Sequence, residues 1–204
     1  MKRDIKKLNV LTIVLLLLFV SCEQTGIVPD LNVEPDQELT LKAAKVKASA
    51  ISYSIVEAVP ISDLCGSLPT TTFIAGQNYE AGSVQIANSK TKLYIAISMN
   101  EGWELDCTHI YIGTFDGIPF NNGGNLQTGN FPVSTCFKKG TDQVIYEFNK
   151  LDFPSQVTIL VHGEVSGISS ETAWAFGTAF PDASRWGWYI DYTMKDCYVP
   201  PPPR

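Results

Sequence analysis

Residues 81–113, AGSVQIANSKTKLYIAISMNEGWELDCTHIYIG, decide the fold, because they hold three runs of alternating apolar residues separated by two polar turns. In the middle run, 93–99, large apolar side chains recur at every second position. That period sends alternate side chains to opposite faces of a β-strand. The run before it, 83–87, has the same alternation, and the polar residues 88–91 between them are typical of a hairpin loop. The sequence therefore predicts a β-hairpin here.

A third strand is predicted over 103–112, after a turn in which Gly102 supplies the positive φ that such turns commonly need. Strict alternation would place five side chains on one face, Trp103, Leu105, Cys107, His109 and Tyr111. The opposite face then changes from polar Glu104 to apolar Ile112, as expected of a strand that runs from a wet rim into a core. The three strands together predict a meander, whose apolar face needs a second layer to cover it.

Five further runs have the strand period: 51–55, 144–148, 157–165, 172–180 and 186–194. Segment 113–140 holds no run of useful length and is predicted to be a long surface loop. No segment has ten residues of helical periodicity. We therefore predict an all-β fold, a two-layer antiparallel β-sandwich that is immunoglobulin-like or jelly-roll-like, over residues 50–198. A proline-rich tail, 199–204, follows.

The N-terminal residues 1–21 have the pattern of a signal peptide, a basic head followed by an apolar run over 10–20. That run is too short to span a bilayer, which needs roughly 20 residues. Residues 18–22, LFVSC, resemble the lipobox of bacterial lipoproteins, which implies a lipid on Cys22. Polar residues 22–49 read as a tether. We expect an exported protein that is lipid-anchored to the cell envelope, at the outer membrane or the cell surface.

The charge of the chain disfavours nucleic-acid binding. The full sequence has 15 Lys and Arg residues against 21 Asp and Glu residues, a formal net charge of −6. Residues 1–21 carry four of the basic residues and one of the acidic ones, so the chain after cleavage has a formal charge of −9. Such a chain repels phosphate backbones, and no basic patch with interleaved aromatic residues is present.

Four cysteines remain once Cys22 is lipidated, and an even number in an exported domain predicts two disulfides. Three pairings are open to them. We favour Cys107–Cys136, which would brace the long loop, and Cys65–Cys197, which would tie the two ends of the domain. No cysteine and histidine spacing indicates zinc.

The long loop contains oxygen ligands that a hard cation such as calcium prefers, at Asp116, Asn121, Asn122 and Asn125. Their spacing differs from the EF-hand pattern, and clusters of Asn and Gly are mainly turn-forming sequences. We therefore expect neither a metal nor another cofactor.

Several motifs resemble those of a family of bacterial secreted and cell-surface β domains to which no activity is assigned. They are THIYIG over 108–113, ETAWAFG over 171–177 and WGWYIDY over 186–192. The resemblance covers about residues 81–193, with Arg185 where Asn is more usual. It implies an exported surface module and no particular reaction.

Catalysis is not expected, because the sequence holds no GxSxG, HExxH or glycine-rich phosphate loop. His109 and His162 lie in separate strands, and His162 and Glu164 have the spacing of a solvated face. A binding or adhesion module for a glycan or a surface protein is the favoured function. The alternatives are a structural or assembly component of the envelope and a glycan-acting hydrolase. The predicted ligand-binding residues are Trp103, His109, Asp116, Glu171, Trp186 and Tyr189.

Overall fold

The computed structural model describes residues 51–180 and 186–197. The predicted signal peptide, Cys22, the tether and the proline-rich tail lie outside these ranges, as does the turn predicted at 181–184. Within the described ranges, no helix is both long enough and apolar enough to cross a bilayer.

The described residues form eleven β-strands and four short 3-10 turns. The strands are β1 (Tyr53–Val56), β2 (Thr70–Ala75), β3 (Tyr79–Asn88), β4 (Lys92–Met99), β5 (Glu104–Gly113), β6 (Val133–Cys136), β7 (Gln143–Asn149), β8 (Gln156–Ser166), β9 (Ser170–Ala175), β10 (Thr178–Ala179) and β11 (Trp188–Thr193). The turns cover Ile61–Asp63, Phe115–Gly117, Thr128–Asn130 and Lys150–Asp152. The predicted all-β class is confirmed.

Strand β8 pairs with three other strands, β5, β9 and β11. All strand pairs in the described part of the chain are antiparallel. One edge of β8 pairs with β5 over most of its length. On its other edge, residues 156–159 pair with β11 and residues 162–166 pair with β9. The sheet continues from β9 through β2, β3, β4 and β7 to β1, and from β5 to β6.

The sheet curls so that its two terminal strands approach each other. The Tyr53 hydroxyl in β1 and the Thr135 hydroxyl in β6 are 2.8 Å apart and hydrogen-bonded. The concave face encloses the main core, which takes the alternate apolar side chains of most strands, among them Phe73, Val84, Leu93, Ile95, Ile97, Ile110, Tyr146, Phe148, Ile159 and Val161. The strands form one connected curled sheet, so the division into two stacked layers stays a prediction.

The predicted meander is wrong in its third strand. The hairpin of β3 and β4 forms as predicted, from Gly82 opposite Met99 to Asn88 opposite Leu93. The other edge of β4 pairs with β7 instead of β5. Strand β5 pairs with β8, which offers it a ladder of nine residue pairs.

The predicted face of β5 is also wrong, because a bulge at Asp106 shifts the register between Leu105 and Cys107. A bulge adds one residue to a strand and so exchanges its two faces beyond that point. Trp103 and Leu105 therefore face the main core together with Ile110. His109 falls on the outer face.

The sequence missed β2 and β6, and it overextended the strand at 172–180. The first half of β2 is a run of threonines without alternation, and β6 is a four-residue strand inside the predicted loop 113–140. Strand β9 ends at Ala175, and after two residues β10 begins a new pairing with β11. These short or locally polar strands are held by their partners rather than by their own pattern.

Both favoured disulfides are present, Cys107–Cys136 between β5 and β6 and Cys65–Cys197 between the two ends of the domain. Buried Asn88 holds the C-terminal segment beside the second one. Its side-chain oxygen accepts hydrogen bonds from the Tyr192 hydroxyl at 2.8 Å and from the Lys195 N–H at 2.7 Å. Its amide donates to the Lys195 carbonyl at 2.9 Å.

Gly163 in β8 lies at a point of close packing. A Cβ at this position would lie 2.7 Å from the ring of Phe73 in β2. The interior face of β8 therefore needs glycine here to admit that ring.

Candidate functional site

The outer face of β5, β8 and β9 is covered by the long loop 114–131 and by residues around β11. Five side chains are buried between them, Tyr111, Ile118, Phe131, Leu160 and Trp174. Leu126, Phe180, Trp186, Trp188 and Tyr189 pack against this cluster and are partly buried. Because the apolar face is covered by an irregular loop, the loop is a structural part of the domain.

The loop has its own internal hydrogen bonds. The Asn121 side-chain oxygen accepts from the backbone N–H of Gly123 at 2.9 Å and of Asn125 at 3.0 Å. The Tyr111 hydroxyl donates to the Thr114 carbonyl at 2.7 Å, which fixes the beginning of the loop. Asn121 therefore serves the turn, as its Asn-Gly sequence suggested.

Four aromatic rings form a continuous patch on this covered face, and we call Phe115, Phe120, Phe180 and Tyr189 the outer aromatic surface. Tyr189 lies 5.1 Å from Phe115 and 5.0 Å from Phe180, measured between ring centroids. Phe120 meets Phe180 edge to face at 5.5 Å. Phe115 and Phe120 are 46% and 37% exposed. Rings that pack against each other and still face solvent form a rigid apolar platform.

Three more aromatic side chains contact one another at the start of β11 and the end of β9. Trp188 lies 5.4 Å from Phe176, which is 50% exposed, and 5.3 Å from Trp186. Trp186 and Trp188 are both partly buried. Phe176 therefore adds an exposed ring at the end of β9.

A groove of about 320 Å³ opens beside Tyr189, between the start of β2 and β11. It exists because β9 pairs with β2 only at Phe73–Ala75, and no ladder in the described chain joins the first half of β2 to β11. Val84 and Ile86 line it from the main core. Phe176 and Tyr189 also line it, so Tyr189 belongs to both the groove and the outer aromatic surface.

His109 and His162 lie opposite each other in β5 and β8 on the same outer face, with ring centroids 5.6 Å apart. His162 meets Trp174 edge to face at 4.7 Å. The Nδ1 atoms of both histidines are buried and have no hydrogen-bond partner in the structure. Burial, and secondarily the nearby His109, lower the pKa of His162 to about 4.

The predicted solvated face of β8 is therefore wrong at His162 and correct at Glu164. His162 is 6% exposed because Trp174 covers it, whereas Glu164 remains exposed. Glu164 Oε1 lies 3.8 Å from His109 Nε2, at the border between the covered and the open part of the strand.

Of the remaining predicted site residues, three lie at the outer cluster and two lie elsewhere. Asp116 is exposed in the loop directly after Phe115, and Trp186 and Tyr189 pack on the same outer cluster. Trp103 is buried and lines a second groove of about 570 Å³ on the far side of the β4–β5 turn. Glu171 lies at the start of β9, where the Ser169 hydroxyl donates to it at 2.8 Å.

Sequence reasoning missed Phe115, Phe120, Phe176 and Phe180 as site residues. Phe115 and Phe120 lie in the polar Asn- and Gly-rich loop, where no strand partner predicts their burial. Aromatic residues in such a setting are a signal that would have found these two. Phe176 and Phe180 carry no comparable signal, because their alternation is that of a buried strand.

Across the described ranges, no group of three or more His, Cys, Asp or Glu side chains is arranged to hold a metal ion. No protein-family model, curated protein or solved structure matches the chain.

Proposed function

We propose that this chain is a non-catalytic glycan-binding module, anchored by a lipid on Cys22 in the bacterial cell envelope and displayed at the outer membrane or the cell surface. The observation that carries the proposal is the outer aromatic surface, on which Phe115 and Phe120 stay substantially exposed while packing against Phe180 and Tyr189.

Sugar rings present faces of C–H bonds, and these stack on the faces of aromatic rings. Such stacking is strongest when the rings are already fixed, because binding then costs little side-chain entropy. The edge-to-face contacts of Phe120 with Phe180 and of Phe115 with Tyr189 supply that rigidity. Asp116 lies beside Phe115 and is exposed, so a carboxylate is available to accept hydrogen bonds from sugar hydroxyls.

The expected anchoring is consistent with this role. A lipid on Cys22 and a polar tether over 22–49 would hold the domain near the membrane and leave its loops accessible. The acidic charge of the chain favours uncharged ligands over polyanions such as nucleic acids. Contact with the membrane is then made through the lipid.

A glycan array probed with the full chain, followed by titration of the best ligand, tests the proposal. Replacing Phe120 by Ala removes one exposed ring from the surface. We expect binding to weaken about five- to thirtyfold, since one aromatic contact contributes roughly 1–2 kcal/mol. The Phe115→Ala variant should behave similarly.

Leu151→Ala is the matched control, because Leu151 is an apolar side chain that is 81% exposed and does not belong to the outer aromatic surface. It lies in the turn before β8. It should bind as the unmodified chain does. Unchanged glycan binding by Phe120→Ala would contradict the proposal. If no glycan binds and one envelope protein co-purifies stoichiometrically, the chain is an assembly component instead.

A further inference from the structure

The groove beside Tyr189 has a mixed lining. Phe176 and Tyr189 give it aromatic sides, and it borders on Val84 and Ile86, which are buried in the main core. Its volume of about 320 Å³ is at the small end of ligand sites in proteins, which span roughly 300–1,000 Å³. A groove of this size and lining suits a single compact ligand ring.

Two polar side chains in the lining have hydrogen-bonding capacity left over. The Thr70 hydroxyl oxygen accepts a hydrogen bond from the Gln85 amide at 3.0 Å, so its own proton is available to a ligand. Asp191 Oδ1 accepts from the Thr158 hydroxyl at 3.0 Å, and a carboxylate has further acceptor sites on its second oxygen. These two side chains thus offer a ligand one hydrogen-bond donor and one charged acceptor beside the aromatic sides of the groove.

The charge of the groove selects among ligands. Among the described residues that line it, Asp191 is the sole charged one, and none of them is Lys, Arg or His. A sulfate, phosphate or carboxylate group on the ligand would therefore meet a like charge and, from the described lining, no counter-charge. A hydroxyl group would meet an acceptor.

We propose that this groove is the specificity pocket of the glycan site and takes one uncharged sugar residue. The inference rests on the function proposed above. Tyr189 joins the two parts, since its ring contacts Phe115 and Phe180 and also lines the groove. One residue of a glycan chain enters the groove, with its hydroxyls on Asp191 and Thr70, while its neighbours stack on Phe115 and Phe120.

Calorimetric titration of the full chain tests the inference, with cellohexaose and mannohexaose as uncharged probes and hexagalacturonate and a sulfated heparin hexasaccharide as anionic ones. We expect an uncharged hexasaccharide to bind and the anionic ones not to. Asp191→Asn, which keeps the shape of the side chain, should weaken that binding about tenfold, because hydrogen bonds to charged groups are stronger than neutral ones. Thr70→Val should weaken it about fivefold.

Thr193→Val is the control, because Thr193 is exposed on the same strand as Asp191 and does not line the groove. Preferred binding of the anionic probes would overturn the groove inference. So would unchanged affinity in Asp191→Asn and Thr70→Val when Phe120→Ala is weakened, and that result would leave the proposed function standing. If no hexasaccharide binds, the groove inference fails together with the proposed function.

Discussion

His162 is a buried titratable residue on the outer face of β8. His109 lies opposite it in β5, Trp174 covers it from β9, and Glu164 lies two residues further along β8. The Glu164 carboxylate lies 3.8 Å from His109, and burial and His109 are the influences on the pKa of His162. Burial therefore dominates and holds the pKa of His162 well below its ordinary value, at about 4.

The folded chain should lose stability as the pH falls from about 6.5 to 4. In the unfolded chain His162 takes up a proton below pH 6.5, whereas in the folded chain it stays neutral until about pH 4. The unfolded state thus binds more protons in this window, and the free energy of unfolding should fall by roughly 3 kcal/mol across it. Urea unfolding at pH 7.5, 6.0, 5.0 and 4.5 measures this.

The His162→Phe variant is the control for this pH effect. It keeps an aromatic ring against Trp174 and removes the titrating group, so the pH dependence that comes from the other ionisable groups is common to both proteins. The difference in unfolding free energy between the two should change steadily below pH 6.5. Parallel curves down to pH 4.5 would mean that His162 is not held neutral by burial.

Alternation placed His162 and Glu164 on one face of β8, but the solvated face predicted there is wrong at His162, because alternation carries no information about what covers a face. The cover is built from Trp174 and from the loop residues that pack with it, Ile118, Leu126 and Phe131. The three loop residues come from a segment with no strand pattern, so their contact with β8 follows from the tertiary fold. The same limit applies to Phe120, whose exposure depends on how the loop lies.

At the level of the elements, the sequence of β5 itself has an irregular apolar pattern. Trp103 and Leu105 are apolar at odd positions, whereas Ile110 and Ile112 are apolar at even positions. A regular strand would place these pairs on opposite faces, and only one inserted residue brings them to the same core. The shift of the apolar residues from odd to even positions is visible in the sequence. The same shift is also expected of a regular strand that runs from a wet rim into the core, so it does not by itself identify a bulge.

Deleting Asp106 should therefore be far more destructive than replacing it. Without the extra residue, Trp103 and Leu105 cannot face the core in the same register as Ile110, and losing the burial of these two side chains costs several kcal/mol. Asp106→Ala keeps the bulge and loses the hydrogen bond from the Ser166 hydroxyl at 3.1 Å, a cost of about 1 kcal/mol.

Urea unfolding of the two variants distinguishes these effects. We expect Asp106→Ala to unfold cooperatively at slightly lower urea, and the deletion variant to unfold at much lower urea or to lack a folded baseline. Equal stability of the two would show that the register of β5 does not depend on the bulge.

Strand partners were less predictable than strands. The local hairpin of β3 and β4 followed from its own turn, whereas β4 pairs with β7 and β2 pairs with β9 across long sequence distances. Periodicity records which face of a strand is buried but carries no information about which strand lies beside it. The order of the sheet therefore had to come from the structure.

At the scale of the whole molecule, the described chain has one enclosed core and two smaller apolar clusters, of which the larger lies on the outer face under the long loop. The disulfide between Cys65 and Cys197 closes a sequence separation of 132 residues, and the Asn88 hydrogen bonds support it. A framework fixed in this way can hold an irregular loop in place. The proposed ligand surface is built on that loop and on β11.

The fold class and the presence of two disulfides could be predicted because each depends on a simple count, a period of two and an even number of cysteines. The pairing was favoured only from the positions of the cysteines along the chain. Of the predicted ligand residues, Asp116, Trp186 and Tyr189 lie around one cluster, whereas Trp103 and Glu171 lie elsewhere. The outer aromatic surface itself depends on residues brought together from the loop, from Phe180 and from β11. Their assembly could not be predicted from any one segment.

Hydrogen exchange measured by mass spectrometry on the full chain, with and without a saturating uncharged hexasaccharide, tests the central claim most directly. The outer aromatic surface predicts slower exchange in residues 114–126 and 186–191 on ligand binding, and unchanged exchange in residues 100–104 and 139–142 around the groove of Trp103. Protection confined to that second groove, or bound ligand with no protection at 114–126, would contradict it.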